Sequence, residues 1–218
     1  MIKPVTGADA TRQALIDAAL QLFGERGYDA VSTRELAERA SANIGSIAYH
    51  FGGKPGLRLA CAEHVATRLQ AQAAPAIDFA SVPISPAAAV ALMEAGMERF
   101  GRFVVSSREA SIYAAFIIRE VMQPGEIVDH LYERLIGTVH QRLCHLFGTA
   151  TGRGAETQEV RAAVFSLLGQ MLYFRIAQPI VLRRMDWPEV GPAQADFLVS
   201  IFKTNLKGLI AAYRKDDV

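Results

Sequence analysis

A short stretch of the chain carries side chains whose chemistry suits contact with a nucleic acid. The Ser46 hydroxyl can donate or accept a hydrogen bond at a base edge, and the apolar Ile44 and Ala48 could touch a thymine methyl group. Lys54 precedes Pro55 at the expected start of a helix, where backbone N–H groups already favour phosphate. These residue types predict base and phosphate contacts, provided that short helices hold them on one surface.

The residues just before this stretch have the pattern of a helix start. Ser32 can cap the helix, and Glu35 follows three residues later, as a capping box requires. Val31, which precedes the cap, can pack against Leu36. A short amphipathic helix is therefore predicted to follow Ser32.

The break at residues 41–43 leaves room only for a tight turn. Asn43 suits the N-cap of a second short helix, over about Ile44 to His50, with Ile47 and Phe51 in the core. Two short helices joined by such a turn are typical of a helix-turn-helix, whose second helix enters the major groove of DNA. A helical hairpin without a role in DNA binding is the alternative interpretation.

A longer helix is predicted ahead of this pair, because an apolar stripe runs through residues 9–26 and stops at Gly27. Together the three helices resemble the DNA-binding domain of TetR-family transcriptional regulators over about residues 9–58. The resemblance rests on Ile16-Asp17-Ala18-Ala19-Leu20-Gln21-Leu22-Phe23, Gly27-Tyr28, Leu36-Ala37, Gly45, Tyr49-His50-Phe51 and Lys54.

The resemblance implies which side chains meet DNA. Thr33 and Arg34, in the first turn of the second helix, are expected at the phosphates or the groove edge, and the third helix is expected to read bases. The commonest family pattern has a tyrosine at the place of Ala48, whereas Tyr49-His50-Phe51 is similar to the CecR-like subgroup. The residues predicted to contact DNA are Thr33, Arg34, Asn43, Ile44, Gly45, Ser46, Ala48, Tyr49, His50 and Lys54.

The remainder of the chain predicts a helical body. Residues 1–8 are expected to form a disordered arm, residues 74–86 a Pro-, Ala- and Ser-rich connection, and residues 148–155 a Gly/Thr loop. The segment 108–122 is apolar nearly all round, which predicts a central place in a bundle. Helices are predicted over 55–73, 86–105, 108–122, 126–147, 156–178 and 193–214.

In the TetR family the second domain binds a ligand that releases DNA, so the resemblance implies a site for a small, largely apolar ligand. Arg119 and Glu120 lie in an otherwise apolar helix and must be paired or meet a polar ligand. Arg175 could pair with Glu120 or with an anionic ligand, and a structural ion pair is the alternative. The segment Arg119–Pro124 is also similar to the CecR-like C-terminal domain. The predicted ligand-binding residues are Met97, Phe100, Tyr113, Phe116, Arg119, Glu120, Phe165, Tyr173 and Arg175.

The segment 156–178 carries two apolar stripes and therefore needs two apolar partners. One stripe contains Val160 and Met171, and the other contains Phe165 and Ile176. TetR-family homodimers pair their last two long helices, so we expect a homodimer through these helices, with Leu206 at the interface. Packing within one subunit would produce similar stripes.

Composition narrows the classes of function. The net charge of +1 does not predict a nucleic-acid partner, so that prediction rests on the motif alone. The sequence has no Gly-rich phosphate loop, nucleophile elbow or paired-carboxylate signature, so neither an enzyme nor a cofactor is expected. The N-terminus lacks an apolar signal region, and polar residues interrupt the apolar run 166–182, so we expect a cytoplasmic protein without a membrane partner.

A metal- or thiol-responsive regulator is one alternative, because His140, Cys144 and His145 lie within six residues, although a convincing fourth ligand is missing. A DNA-binding module without any small-molecule ligand is another. The main prediction is an all-α protein with a helix-turn-helix DNA-binding domain over 1–54 and a helical ligand-binding and dimerisation domain over 55–218. It would act as a ligand-released repressor on a palindromic double-stranded DNA operator.

Overall fold

The computed structural model describes residues 7–77 and 84–214, except for the side chains of 74–77. Every described element is helical, which confirms the all-α prediction with an N-terminal helix-turn-helix. The helices are α1 Gly7–Arg26, α2 Thr33–Arg39, α3 Gly45–Phe51, α4 Lys54–Ile77, α5 Pro86–Ser106, α6 Arg108–Met122, α7 Glu126–Leu131, α8 Gly137–Thr151, α9 Gln158–Ile176, α10 Gln178–Met185 and α11 Pro192–Tyr213, with a π-helical turn at Tyr132–Ile136 between α7 and α8.

Several helix ends differ from the sequence-based predictions. The predicted arm is helical from Gly7, its earlier residues lying outside the described chain, and α4 runs into the predicted connection as far as Ile77. The rest of that connection, up to residue 83, also lies outside the described residues. The predicted Gly/Thr loop is helical as far as Thr151, where Gly152 ends α8 with a left-handed φ of +70°.

The helix α10 was not predicted. The helix predicted over 156–178 ends just before Pro179, but proline is also well accepted in the first turn of a new helix. Here the backbone breaks at Ala177, with φ −93° and ψ 20°, and α10 restarts at Gln178. Among the described residues no single helix is long and apolar enough to cross a membrane; α9 and α10 pass that test only as a pair, which is bent by 78°.

The described residues pack as two compact units. Unit 1 comprises residues 7–68 and 112–134, and unit 2 comprises residues 69–77, 84–111 and 135–214. The packing therefore groups most of α6, and all of α7, with the helix-turn-helix segment. The division into functional domains at residue 54 remains a prediction.

In unit 1, α1 and α6 approach each other closely at Gly24. A Cβ atom there would lie 3.1 Å from the Ala115 Cβ and 3.2 Å from the Phe116 nitrogen, so glycine permits the contact. Although α6 is apolar nearly all round, its central place in a bundle is not observed, because Val121 and Met122 are exposed, Met122 at 75%. Hydropathy alone could not show that one face of this helix stays uncovered.

In unit 2, the helices α5, α8, α9 and α11 share one hydrophobic core. Its largest fully buried side chains are Phe147 and Phe202, and Gly101 lets α5 approach the Met171 sulfur and the Phe202 ring. Leu206 lies in the same core at 0% exposure, so its expected place at a subunit interface is wrong. The stripe to which it belongs faces the core of its own subunit.

Candidate nucleic-acid interface

The start of α2 has the predicted capping box. The Ser32 backbone N–H donates to Glu35 Oε2 at 2.8 Å, and the Glu35 N–H donates to Ser32 Oγ at 3.2 Å. The hydrogen bond from the Ser32 backbone and another from Arg26 lower the pKa of Glu35 to about 2. Because Arg26 also donates to the Ala30 carbonyl at 2.8 Å, the end of α1 and the start of α2 are tied together.

The turn between α2 and α3 is tight and locally satisfied. Ser41 adopts a left-handed φ of 51°, and the Ala42 N–H donates to the Ala37 carbonyl at 2.9 Å. The Asn43 side-chain oxygen accepts from the Gly45 N–H at 2.8 Å. The helix proper begins at Gly45, one residue later than predicted, although Ile44 already has helical backbone angles.

The two sides of α3 differ sharply in exposure. Ile47 is 1% exposed and fixes the helix to its unit, as predicted, whereas Tyr49 on the outer side is 82% exposed. Ile44, Gly45 and Ala48 are also exposed. The remaining predicted DNA contacts are exposed at Arg34 and Asn43 and partly exposed at Thr33, Ser46, His50 and Lys54.

Two glycines turn the chain from α3 into α4, and a third lets the helices touch. Gly52 and Gly53 have left-handed φ values of 72° and 131°. A Cβ on Gly56 would lie only 1.9 Å from the Phe51 carbonyl oxygen, so no other residue fits there without moving the backbone. The sequence alone does not reveal this requirement, because its signal is no more than a glycine in the first turn of a helix after a proline.

The first two turns of α4 hold two cations, Lys54 and Arg58, against the ring of Tyr28. The Lys54 Nζ lies 4.1 Å from the centre of the Tyr28 ring, and the Arg58 guanidinium lies 4.3 Å from it. Burial lowers the pKa of Lys54. Arg58 also donates to both oxygens of the buried Glu120 at 3.0 and 2.6 Å, so of the two partners considered for Arg175, Glu120 is not the one observed.

Arg119 caps the C-terminal end of α1. Its Nε donates to the Gly24 carbonyl at 3.3 Å and its Nη2 to the Glu25 carbonyl at 2.9 Å. These carbonyls belong to the last turn of a helix, where they have no partner within the helix and a cation is favourable. Within unit 1, Arg119 and Glu120 therefore hold α6 against α1 and α4.

The predicted ligand-binding residues divide between the two units. Tyr113 and Phe116 in unit 1 are buried, like Met97 in unit 2, whereas Phe100 is partly buried. Phe165 and Tyr173 lie exposed on α9. Arg175, also on α9, is buried. The assignment of these residues to a ligand remains a prediction.

The geometry around Cys144 bears on the metal- or thiol-responsive alternative. His140 Nε2 lies 3.1 Å from the Arg161 carbonyl, which it reaches by donating, and its Nδ1 lies 3.6 Å from the Cys144 sulfur. Burial raises the pKa of the Cys144 thiol to about 11, so the reactive thiolate is scarce at neutral pH. His145 is exposed, and in the part of the chain that the structure describes no three His, Cys, Asp or Glu side chains are grouped to hold a metal ion.

A capped three-helix unit that exposes one face of its last short helix is typical of helix-turn-helix DNA-binding proteins. Two family models match this chain: the tetR family of bacterial regulatory proteins over residues 15–61, and the C-terminal domain of the HTH-type transcriptional dual regulator CecR over residues 89–213. The chain belongs to the TetR family of transcriptional regulators, with a CecR-type C-terminal domain. The families matched are regulators of transcription, not enzymes.

Individual relatives agree with this classification. The chain is 31% identical to the HTH-type transcriptional dual regulator CecR of Shigella flexneri, over 84% of this chain and 83% of that protein. It is 27% identical to the regulatory protein RaaS of Mycobacterium tuberculosis, over 74% and 69% of the two chains. Among solved structures, a TetR-like regulator from Rhodococcus sp. RHA1 aligns with a TM-score of 0.67 at 19% identity, over 92% of this chain and 96% of that one. AibR in complex with isovaleryl coenzyme A and operator DNA aligns with a TM-score of 0.66 at 17% identity, over 88% and 96%.

Proposed function

We propose that this regulator is a homodimeric repressor that binds a roughly two-fold-symmetric operator through α3 of each subunit and releases it when a small ligand occupies unit 2. The observation that carries the proposal is the outer face of α3, where Ile44, Ala48 and Tyr49 project from a helix anchored by the buried Ile47. Ser46 and His50 on the same helix supply polar groups for base edges, and Lys54 supplies a cation for phosphate. DNA as the partner implies action in the cytoplasm.

The proposed dimer interface is the uncovered apolar surface of α9 and α11. On α9 the stripe through Val160 and Met171 is buried in the subunit, whereas Phe165 and Ile176 on the second stripe remain more than half exposed. Exposed apolar area of this kind is typical of surfaces that become buried on association. The further exposed apolar side chains of these two helices are Leu172, Tyr173, Phe197 and Ile201.

Release by a ligand rests on the family and on the composition of unit 2. AibR, which shares the fold, was solved in complex with isovaleryl coenzyme A and operator DNA, which supports the binding of a small molecule by this architecture; release of DNA on binding is inferred from the family. The direction of regulation is proposed as repression, whereas the relative in Shigella flexneri is described as a dual regulator. A DNA-binding module that takes no ligand is the competing function.

The deciding experiment is selection of bound fragments from the host's genomic DNA, repeated in the presence of a panel of hydrophobic compounds. We expect a palindromic site that is lost with one class of compound. A Tyr49→Ala variant should recover few fragments, and Gln141→Ala, at an exposed position of α8, should match the wild type. Recovery of the same site with every compound would support the module without a ligand, and recovery of no specific site would refute the assignment of α3.

A further inference from the structure

The last turn of α9 contains a buried guanidinium group that is only partly satisfied. Arg175 is 8% exposed; its Nε donates to the Val104 carbonyl at 2.6 Å and its Nη1 donates to the Gln178 side-chain oxygen at 3.0 Å. Its Nη2 is buried and has no hydrogen-bond partner among the residues that the structure describes. A buried donor without an acceptor is rare in folded proteins and is unfavourable, the more so when it belongs to a charged group.

The charge of Arg175 is not balanced by a carboxylate. Burial lowers the pKa of Arg175, but a guanidinium remains protonated at physiological pH. Among the residues that the structure describes, no carboxylate forms an ion pair with it. The Val104 carbonyl, in the last turn of α5, offers the partial negative charge of a helix end to Nε. That contact gives Nε an acceptor, but it does not supply an acceptor for Nη2 on the other edge of the guanidinium.

The Nη1–Nη2 edge of a guanidinium presents two parallel N–H groups that match the two oxygens of a carboxylate. Gln178 fills half of this edge with one neutral amide oxygen. A carboxylate that displaced this oxygen would satisfy both nitrogens and neutralise the charge. A phosphate dianion would instead leave a buried negative charge in excess, which is costly.

We propose that Arg175 binds the carboxylate group of the effector, and that the Gln178 side chain occupies this place until the effector displaces it. The rest of the effector is apolar, because the neighbouring positions Val104 on α5 and Met171 on α9 are apolar and buried. Gln178 is the first residue of α10, so its displacement acts directly on the break between α9 and α10. This inference rests on the proposed ligand response and gives the chemical class of the ligand.

The first test measures thermal unfolding of the purified full-length protein with straight-chain carboxylates of four to ten carbons, below the concentrations at which they form micelles. The matched amides control for the apolar chain, and inorganic phosphate controls for anions in general. We expect a saturable rise in Tm with at least one carboxylate and none with its amide or with phosphate. Equal shifts for acid and amide, or no shift with any of the acids, would overturn the proposal.

The second test introduces the carboxylate into the protein itself. Gln178→Glu places it beside Arg175, where it should complete the edge, raise Tm by about 2–4 °C over Gln178→Ala, and abolish the response to carboxylates. Gln178→Ala keeps the guanidinium free and should retain that response. A Gln178→Glu protein no more stable than Gln178→Ala, or still stabilised by added carboxylate, would refute the role of Arg175. These variants leave the contact from Arg175 to Val104 in place, so they avoid the misfolding that replacement of Arg175 itself risks.

Measurements of operator binding and of particle mass on the same preparations show whether a failure concerns the carboxylate site or the proposed function. A dimer that binds its operator but shows no carboxylate-specific shift contradicts only the assignment of Arg175. A protein that is stabilised by carboxylates but recovers no specific DNA site contradicts the proposed function and retains the carboxylate site.

Discussion

The helix-turn-helix segment and the segment around the α9–α10 break satisfy their polar groups in different ways. At the start of α2, Ser32 and Glu35 satisfy each other three residues apart, and Asn43 accepts from the N–H of Gly45. At the end of α9, Arg175 reaches 71 residues back along the chain to Val104, and within the described part of the chain its Nη2 still has no hydrogen-bond partner. Local satisfaction gives a surface whose shape changes little, whereas distant and incomplete satisfaction leaves a segment that a ligand can rearrange at low cost.

The largest expected effect is that of Gly56→Ala, which tests how strictly the helix-turn-helix segment is packed. The added Cβ would lie 1.9 Å from the Phe51 carbonyl oxygen, so the start of α4 must move away from α3. We expect a loss of about 3 kcal/mol or more in the free energy of unfolding and loss of operator binding. Urea unfolding and gel-shift titration measure the two effects. Gly125→Ala, with no atom within 4 Å of the added Cβ, is the matched control, and equal behaviour of the two variants would show that the close approach is unimportant.

Glu120→Gln tests the ion pair that connects Arg58 of α4 to the buried carboxylate of α6. Arg58 would keep a neutral partner in place of a buried carboxylate, and breaking such a pair costs about 3 kcal/mol. Glu38→Gln removes the partner of Arg34 in an exposed pair of the same helix-turn-helix unit and should cost only about 0.3–0.5 kcal/mol. Denaturant midpoints of the two variants give the comparison. Similar costs would show that the burial of Glu120 does not strengthen its pairing.

Ile176→Arg tests whether the outer stripe of α9 forms the subunit interface. Ile176 is 56% exposed in the subunit, so the substitution should leave the helical circular dichroism intact. A charge buried in an apolar interface should raise the dimer dissociation constant by roughly a hundredfold, or about 2–3 kcal/mol. Light scattering over a dilution series measures the change. Val121→Arg introduces the same charge at an exposed apolar position of α6, and a dimer weakened by Val121→Arg alone would place the interface elsewhere.

Ser46→Ala and Lys54→Ala should separate base reading from phosphate binding. Loss of the hydroxyl at Ser46 should reduce the discrimination between bases at one operator position by about 1–3 kcal/mol. Loss of Lys54 should weaken binding to all sequences alike, and it should reduce the magnitude of the slope of log K against log salt concentration by about 1. Arg34→Ala should behave like Lys54→Ala. Fragment selection at two salt concentrations distinguishes these results, and an altered base preference with Lys54→Ala would contradict its assignment to phosphate.

The smallest effect is expected from acid acting on the capping box. Because folding lowers the pKa of Glu35 from 4.5 to about 2, the carboxylate stabilises the fold above about pH 4.5. That contribution should be lost as the pH falls from about 4.5 to about 2, when the folded-state carboxylate takes up a proton. Thermal unfolding at several pH values should therefore show a shallower acid dependence for Glu35→Gln than for the wild type. Parallel curves would mean that the box does not contribute to stability.

The sequence predicted most contacts of the helix-turn-helix segment but not those around the α9–α10 break, because the first set depends on residues close together in the chain. The capping box, the turn at Asn43 and the burial of Ile47 each depend on residues within a few positions, so their spacing can be read from the chain. Gly56 is an exception within the helix-turn-helix segment: Phe51 lies only five positions away, but the sequence does not show how closely the end of α3 approaches the start of α4. The second stripe of α9 could be read as apolar, but its exposure in the subunit depends on which helices cover it.

By itself the sequence determined the helical class, the helix-turn-helix and the family, because periodicity, caps and motif residues act over short distances along the chain. Only the tertiary structure decided the partners of the charged groups in the apolar helices. Arg119 caps α1, Glu120 pairs with Arg58, and Arg175 donates to the end of α5. The sequence shows that a buried charge needs a partner, but the partner is chosen by the approach of helices that lie far apart in the chain.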